Sequence, residues 1–288
     1  MRKQSLLFKI VNYSVFIIFA FITIYPMWNI IAGSFMSYGE YASNPIRLFP
    51  KEVVFDAYKA LVDDVNIISP MRVSIITTLL GTGLSMLITT LAAYALSRKR
   101  LNGRSIIMGG IVFTMLFSGG LIPFYILLVN MKIQNTLMAM VLPGVVNTFY
   151  LIIMRTYFSE IPESLEESAK IDGANDFVIL FRVILPVSMP MISTILLFVG
   201  VDKWNDLFSS LMFTHSPKYQ TLQVMLYRMI SNTLNNQAIQ QGTAFAKNVA
   251  PGSMQMAAVV VATLPILCVY PFLQKYFVNG VMVGSIKG

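Results

Sequence analysis

Long apolar runs alternate with short polar stretches along this chain. Six runs, at 11–31, 74–96, 106–128, 137–157, 184–204 and 256–276, are long enough to cross roughly 30 Å of hydrocarbon, which takes about 20 helical residues. Backbone polar groups in lipid must be satisfied within their own segment, so the pattern predicts an all-α membrane protein, a six-transmembrane-helix bundle. The whole of 1–288 reads as a single transmembrane domain. A signal peptide would have a shorter core and a small-residue cleavage site, whereas the first run carries Tyr25-Pro26 and is read as a retained span. Glycines and prolines interrupt the later runs: Gly81 and Gly83, Gly109 and Gly110, Gly119-Gly120 before Pro123, Pro143-Gly144, Pro265 and Pro271. Such residues let helices bend or approach closely.

The longest stretch with regular charge lies between the fourth and fifth runs, at 160–190. Pro162 suits a first helical turn, where one N–H has no intrahelical partner. Ile161, Leu165 and Ala169 recur at four-residue spacing and share a face. Glu163, Glu166, Glu167 and Lys170 point elsewhere, with Glu166 and Lys170 spaced to pair. Asp172-Gly173 ends the helix, since glycine adopts the left-handed conformation without steric cost. A second short helix is expected from Asn175 toward Arg182, before Pro186 and Pro190 interrupt the next apolar run. An interfacial helix would gain nothing from this acidic face at an anionic leaflet, so a protein partner is the better reading.

Basic residues orient the runs. Arg2, Lys3 and Lys9, then Arg98, Lys99, Arg100 and Arg104, then Arg155, Lys170 and Arg182, and finally Lys275 and Lys287 fall on one side and form more than half of the 21. The positive-inside rule makes that side cytoplasmic, with both termini there. Outside lie a first connection, where 53–61 is expected as a short interfacial helix, and a long fifth one, 208–253. The latter carries Tyr219, Leu222, Met225, Leu226 and Met229 near helical spacing, either a packing face or a surface for a partner protein. The polar run 232–241 suits an exposed loop.

The composition, 56% hydrophobic and 12% charged, excludes an ordinary soluble domain, and a formal charge of +8 without room for a basic patch does not make a nucleic-acid binder. Cys268 is the sole cysteine and His215 the sole histidine, so neither a metal set nor a catalytic triad can be assembled. No Gly-rich phosphate loop is present, so this chain does not hydrolyse ATP. The spans carry no mid-membrane charge; Asp202, Lys203 and Asp206 sit near the outer end of the fifth. Ion-coupled transporters place ionisable groups at midplane, so energy must arrive from elsewhere.

Glu167-Ser168-Ala169, Asp172-Gly173-Ala174 and Ile184-Leu185-Pro186 together resemble the EAA signature of permease subunits in ATP-binding-cassette importers, with Ser168 replacing an alanine. The maltose-type sugar-uptake branch is most similar, and the stretches 117–136 and 149–158 resemble the permeases of complex oligosaccharides. The resemblance implies the maltose-type importer permease fold in the bacterial cytoplasmic (inner) membrane, with a cytoplasmic coupling segment at 160–183. Ile161, Leu165, Glu167, Ser168, Ala169, Asp172, Gly173 and Ala174 would dock into a cleft on a cytoplasmic ATPase. It further implies a second permease subunit, two copies of the ATPase, which hold the ATP and Mg2+, and an extracytoplasmic solute-binding protein. The tail 280–288 is similar to the one that reaches toward the ATPase in that branch.

A sugar path needs aromatic faces and amides. Tyr25, Asn147, Tyr150, Trp204 and Asn205 are the candidates, with 204–206 the first choice. Tyr25 and Trp204 serve equally well as interface anchors, and Asn147 as a bond to a neighbouring helix backbone. An anionic sugar would find only Arg72 and Lys132 as donors. The rivals to an oligosaccharide importer are an importer of amino acids or peptides, and an assembly subunit that passes no substrate.

Overall fold

The computed structural model describes residues 6–43, 48–63, 65–234 and 251–285. Its helices are α1 (Leu6–Ser34), α2 (Tyr38–Ser43), α3 (Asp56–Asp63), α4 (Ile68–Ser97), α5 (Arg104–Leu116), α6 (Leu121–Asn130), α7 (Met138–Val141), α8 (Thr148–Glu160), α9 (Glu163–Ile171), α10 (Asp176–Ile179), α11 (Leu185–Val187), α12 (Met189–Trp204), α13 (Phe208–Phe213), α14 (Leu222–Leu234) and α15 (Pro251–Ser285). A π-helical turn, Leu180–Ile184, joins α10 to α11. The chain forms two compact units, one from 1–68 with 225–265, the other from 69–224 with 266–288.

In the first unit, α1 is apolar on all sides and almost wholly exposed, as suits a helix whose solvent is lipid or a neighbouring helix. Its C-terminal end is tied down by polar and aromatic contacts. Trp28 Nε1 donates to the Leu48 carbonyl at 2.6 Å, Ser34 Oγ lies 2.8 Å from Tyr58 Oη, and Phe35 packs edge-on against Phe55. The short helix expected at 53–61 is α3, which buries Ala57 and Leu61. A Cβ on Gly252 would stand 2.5 Å from the Tyr41 ring. Gly252→Val should therefore lower the melting temperature of the purified protein, since overpacking costs about 1–3 kcal/mol.

Three helices in the described residues are long and apolar enough to cross a membrane singly: Leu7–Ser34, Ile68–Ser97 and Gly252–Pro271. The third and fifth runs are instead bent pairs. Arg104–Leu116 and Leu121–Asn130 meet at 112°, and Asp176–Val187 and Met189–Trp204 at 87°. The first bend passes through extended Phe117 and through Gly120 at φ 87°, a value glycine adopts without strain. The second is at Ser188, between Pro186 and Pro190, whose missing N–H groups break the ladder. The expected fourth span is also not one helix. After α7 the chain turns at Pro143-Gly144, with Gly144 at φ 66°, and restarts at α8. The result is a multi-pass helical membrane bundle with broken elements, not six uninterrupted rods.

The core of the second unit gathers Tyr94 of α4, Met154 and Phe158 of α8, Ile179 of α10, Ile184 of the π-helical turn and Ile195 of α12. In the fifth connection Leu222, Met225 and Leu226 are buried, the packing reading of that stripe, while Tyr219 and Met229 are half-buried. Of the polar run 232–241, residues 235–241 lie outside the described set, as do 286–288 of the tail. His215 is exposed and bonded to Gln134, in keeping with a surface role.

Candidate functional site

Two features of the second unit can do work: a charged helical elbow and a cavity. The elbow begins where α8 gives way to extended Ile161, which is buried in the core cluster. Pro162 caps α9, and α9 ends in a reciprocal turn. Gly173 N–H donates to the Lys170 carbonyl and Ala174 N–H to the Ala169 carbonyl, both at 2.9 Å, with Gly173 at φ 80°. The Asn175 side chain then caps α10 by accepting from Val178 N–H at 2.9 Å. This turn is the one expected.

The faces of α9 differ from expectation. Ile161 precedes the helix and is buried, Ala169 and Ala174 pack onto the core, and Leu165 is only partly turned out. Outward stand Glu163, Glu167, Ser168, Asp172 and Gly173, together with Ile171 at 87% exposure, which the spacing argument passed over. Phe177, on α10, is also exposed. The one fully buried side chain of α9 is a carboxylate, Glu166. It does not pair with Lys170: Arg98 Nη1 lies 2.5 Å from Glu166 Oε1, with both residues under 10% exposed. A buried cation is a far stronger partner than a solvated lysine one turn away.

The two residues after Arg98 repeat the pattern. Lys99 Nζ lies 3.3 Å from Glu163, at an exposed site. Arg100 Nη2 lies 2.5 Å from Asp176, a bond that raises the guanidinium further above its ordinary range. The run that oriented the chain in sequence is thus also a set of contacts to α9 and α10.

The cavity holds about 800 Å³. Its polar lining includes Asn147 and Tyr150 at the start of α8, Asp202 and Lys203 at the end of α12, Asp206 just past it, and Ser85 of α4, with Ser118 and Ser209. Tyr150 Oη donates to Asp202 Oδ2 at 2.7 Å, and its ring is stacked on Phe198. Lys203 Nζ donates to the Pro143 carbonyl at 2.8 Å and the Val141 carbonyl at 3.4 Å, pinning the end of α12 to the turn before α8. Asn147 caps α8, accepting from Phe149 and Tyr150 N–H. Its position within an apolar run is explained by the helix break that it caps.

Of the five residues expected on a path, the structure brings Asn147 and Tyr150 together at this cavity. Trp204 is buried and Asn205 accepts from Gln223 at 3.4 Å; neither lines the cavity. Tyr25 belongs to the first unit, where it stacks on Phe21. Sequence reasoning left Asp202 and Lys203 at a helix end. The bend at Ser188 and the turn at Pro143-Gly144 turn them into lining residues, and the breakers themselves were the available signal. Arg72 and Lys132 do not line the cavity; the lining cation is Lys203.

Residues 6–283 match the family described as binding-protein-dependent transport system inner membrane component. The polygalacturonan/rhamnogalacturonan transport system permease protein YtcP of Bacillus subtilis is 38% identical over 99% of this chain and 100% of its own. The arabinooligosaccharides transport system permease protein AraQ of Halalkalibacterium halodurans is 26% identical over 95% and 94%. A chain of a bacterial ABC transporter involved in the import of the acidic polysaccharide alginate superposes with a TM-score of 0.89, at 30% identity over 96% of this chain and 100% of that one.

Proposed function

Because the chain belongs to the family of binding-protein-dependent transport system inner membrane components, we propose that α9 and the Gly173 turn receive the stroke of a cytoplasmic ATPase, and that the cavity is this subunit's part of the substrate path. The protein is a transmembrane permease subunit of an oligosaccharide importer in the bacterial inner membrane, and not an enzyme. The observation that carries the coupling role is the form of α9. Its inner side is locked to the bundle through Glu166, while Glu167, Ile171 and the open side of Gly173 face away from this chain. Such a helix moves as a rigid body when a partner pushes on its outer face.

The finer assignment is a maltose-type permease. It crosses the membrane six times, counting 138–160 as one interrupted crossing, has both termini in the cytoplasm, and forms one transmembrane domain over 1–288. It works with a sister permease, two ATPases and a solute-binding protein. Uronate-rich oligosaccharides are the first substrate class to try, on the strength of the pectin- and alginate-importing relatives. Within this chain's cavity two carboxylates face one lysine that is already bonded to carbonyls. Selection of an acidic sugar therefore falls to the sister subunit and the binding protein, and this cavity offers Asn147, Tyr150 and an aromatic wall to hydroxyls and ring faces.

Proteoliposomes holding the complete importer should accumulate labelled tetragalacturonate with ATP and ignore an amino acid mixture. Accumulation of amino acids or peptides with no sugar uptake would overturn the assignment. In the same assay Tyr150→Phe should weaken apparent sugar affinity about tenfold, because it removes a hydroxyl bonded to a carboxylate, worth about 1.5–3 kcal/mol.

A further inference from the structure

Glu166 and Arg98 are 68 positions apart in the chain but form a buried pair between α9 and the end of α4. The pair is backed on the α4 side: the Arg98 guanidinium lies over the Tyr94 ring at 4.6 Å, and Tyr94 is itself buried in the core one turn earlier. Arg98 Nε and Nη2 have no other partner among the described residues, so Glu166 and the ring hold this cation. Lys99 and Arg100 extend the grip to Glu163 and, across the Gly173 turn, to Asp176.

The routes from α9 to the cavity are not equivalent. The chain that follows α9 reaches the cavity only after the 87° bend at Ser188. The preceding α8, which carries Tyr150, is joined to α9 through the extended Ile161–Pro162 link and not by continuous helix. By contrast α4 is one uninterrupted helix, and Ser85 on its wall of the cavity lies 13 residues from Arg98, about 20 Å at 1.5 Å per residue. Farther along, the α4 glycine Gly81 abuts the Lys203 side chain, the same lysine that pins α12.

We propose that the Arg98–Glu166 pair is a strut that makes α4 a lever of the transport cycle, so that displacement of α9 moves the Ser85 wall of the cavity. Arg98 is in this sense a positioning residue. The strut rests on α9 being the ATPase-driven element, and it takes no account of which sugar is carried.

The test uses the complete importer in nanodiscs, with Cys268→Ser and spin labels at Leu87 of α4 and Ile122 of α6, both exposed on the surface of this chain. In the otherwise unchanged protein, trapping with ADP and vanadate shifts the label-to-label distance. Arg98→Ala and Glu166→Ala abolish that shift in complexes that still assemble and trap ADP, which separates loss of the strut from loss of the complex. Exchange of the two charges, Arg98→Glu with Glu166→Arg, restores the shift and at least a third of the uptake. Arg98→Lys, which keeps the charge, retains the shift and covers the case in which the alanine variants do not assemble. A shift that persists in Arg98→Ala, or an assembled Arg98→Lys without one, overturns the strut. A normal shift without sugar uptake in the unchanged protein would instead contradict the importer assignment and leave the strut standing.

Discussion

Gly173→Asp is expected to insert and assemble normally, yet to lose uptake by about a hundredfold, the equivalent of about 2.7 kcal/mol. Two effects combine. Gly173 sits at φ 80°, where a residue with a Cβ pays about 1–2 kcal/mol. That is too little to unfold a helix fixed by Glu166 and by two turn hydrogen bonds at 2.9 Å. The second effect is spatial. Nothing among the described residues lies within 4 Å of a Cβ at this position, so the new carboxylate enters open space that, on the proposed coupling role, the ATPase must approach, and close docking is prevented. Gly173→Ala carries the strain without the carboxylate and should fall between the two. Uptake in proteoliposomes, measured beside ATP hydrolysis, separates the cases: Gly173→Asp should hydrolyse without transporting. Unchanged uptake would remove Gly173 from the coupling surface.

Lys203→Glu should be nearly as damaging, at the other end of the machine. The native ammonium bonds two carbonyls at the turn before α8. The 2.8 Å bond to the Pro143 carbonyl is the stronger, and loss of one such charged hydrogen bond costs about 1.5 kcal/mol. The glutamate also adds a third carboxylate beside Asp202 and Asp206 on one cavity wall, and like charges in a low-dielectric site repel strongly. We expect a loss of uptake on the order of a hundredfold. Lys203→Met removes only the bonds, and should lose about tenfold. Equal effects of the two substitutions would show that charge at the cavity wall is unimportant.

What the sequence revealed, and what it hid, follows from the range of the interactions. The Gly173 turn was legible because a left-handed residue after a charged amphipathic run leaves a local trace, and both of its hydrogen bonds close within six residues. The membrane class was legible because lipid imposes long apolar runs. The broken helices were half legible: Gly119-Gly120, Pro143-Gly144, Pro186 and Pro190 stood out, but residue type does not tell a tolerated kink from a bend of 112° or 87°. Glu166 was assigned to Lys170 because helical spacing sees only neighbours. Its partner, Arg98, was counted as a membrane-orienting charge, and nothing local marks it as buried. Ile171 was missed for the opposite reason, since an apolar residue at a helix end reads as packing until its 87% exposure is seen.

The central claim is that α9 faces the cytoplasm and is covered by the motor. A cysteine at Ile171 in a Cys268→Ser background tests it directly, with a membrane-impermeant maleimide applied to either side of sealed vesicles. The claim requires no reaction from outside, full reaction from inside once the ATPases are stripped, and protection when they are bound. Labelling from outside, or labelling from inside that bound ATPases leave unchanged, would contradict it.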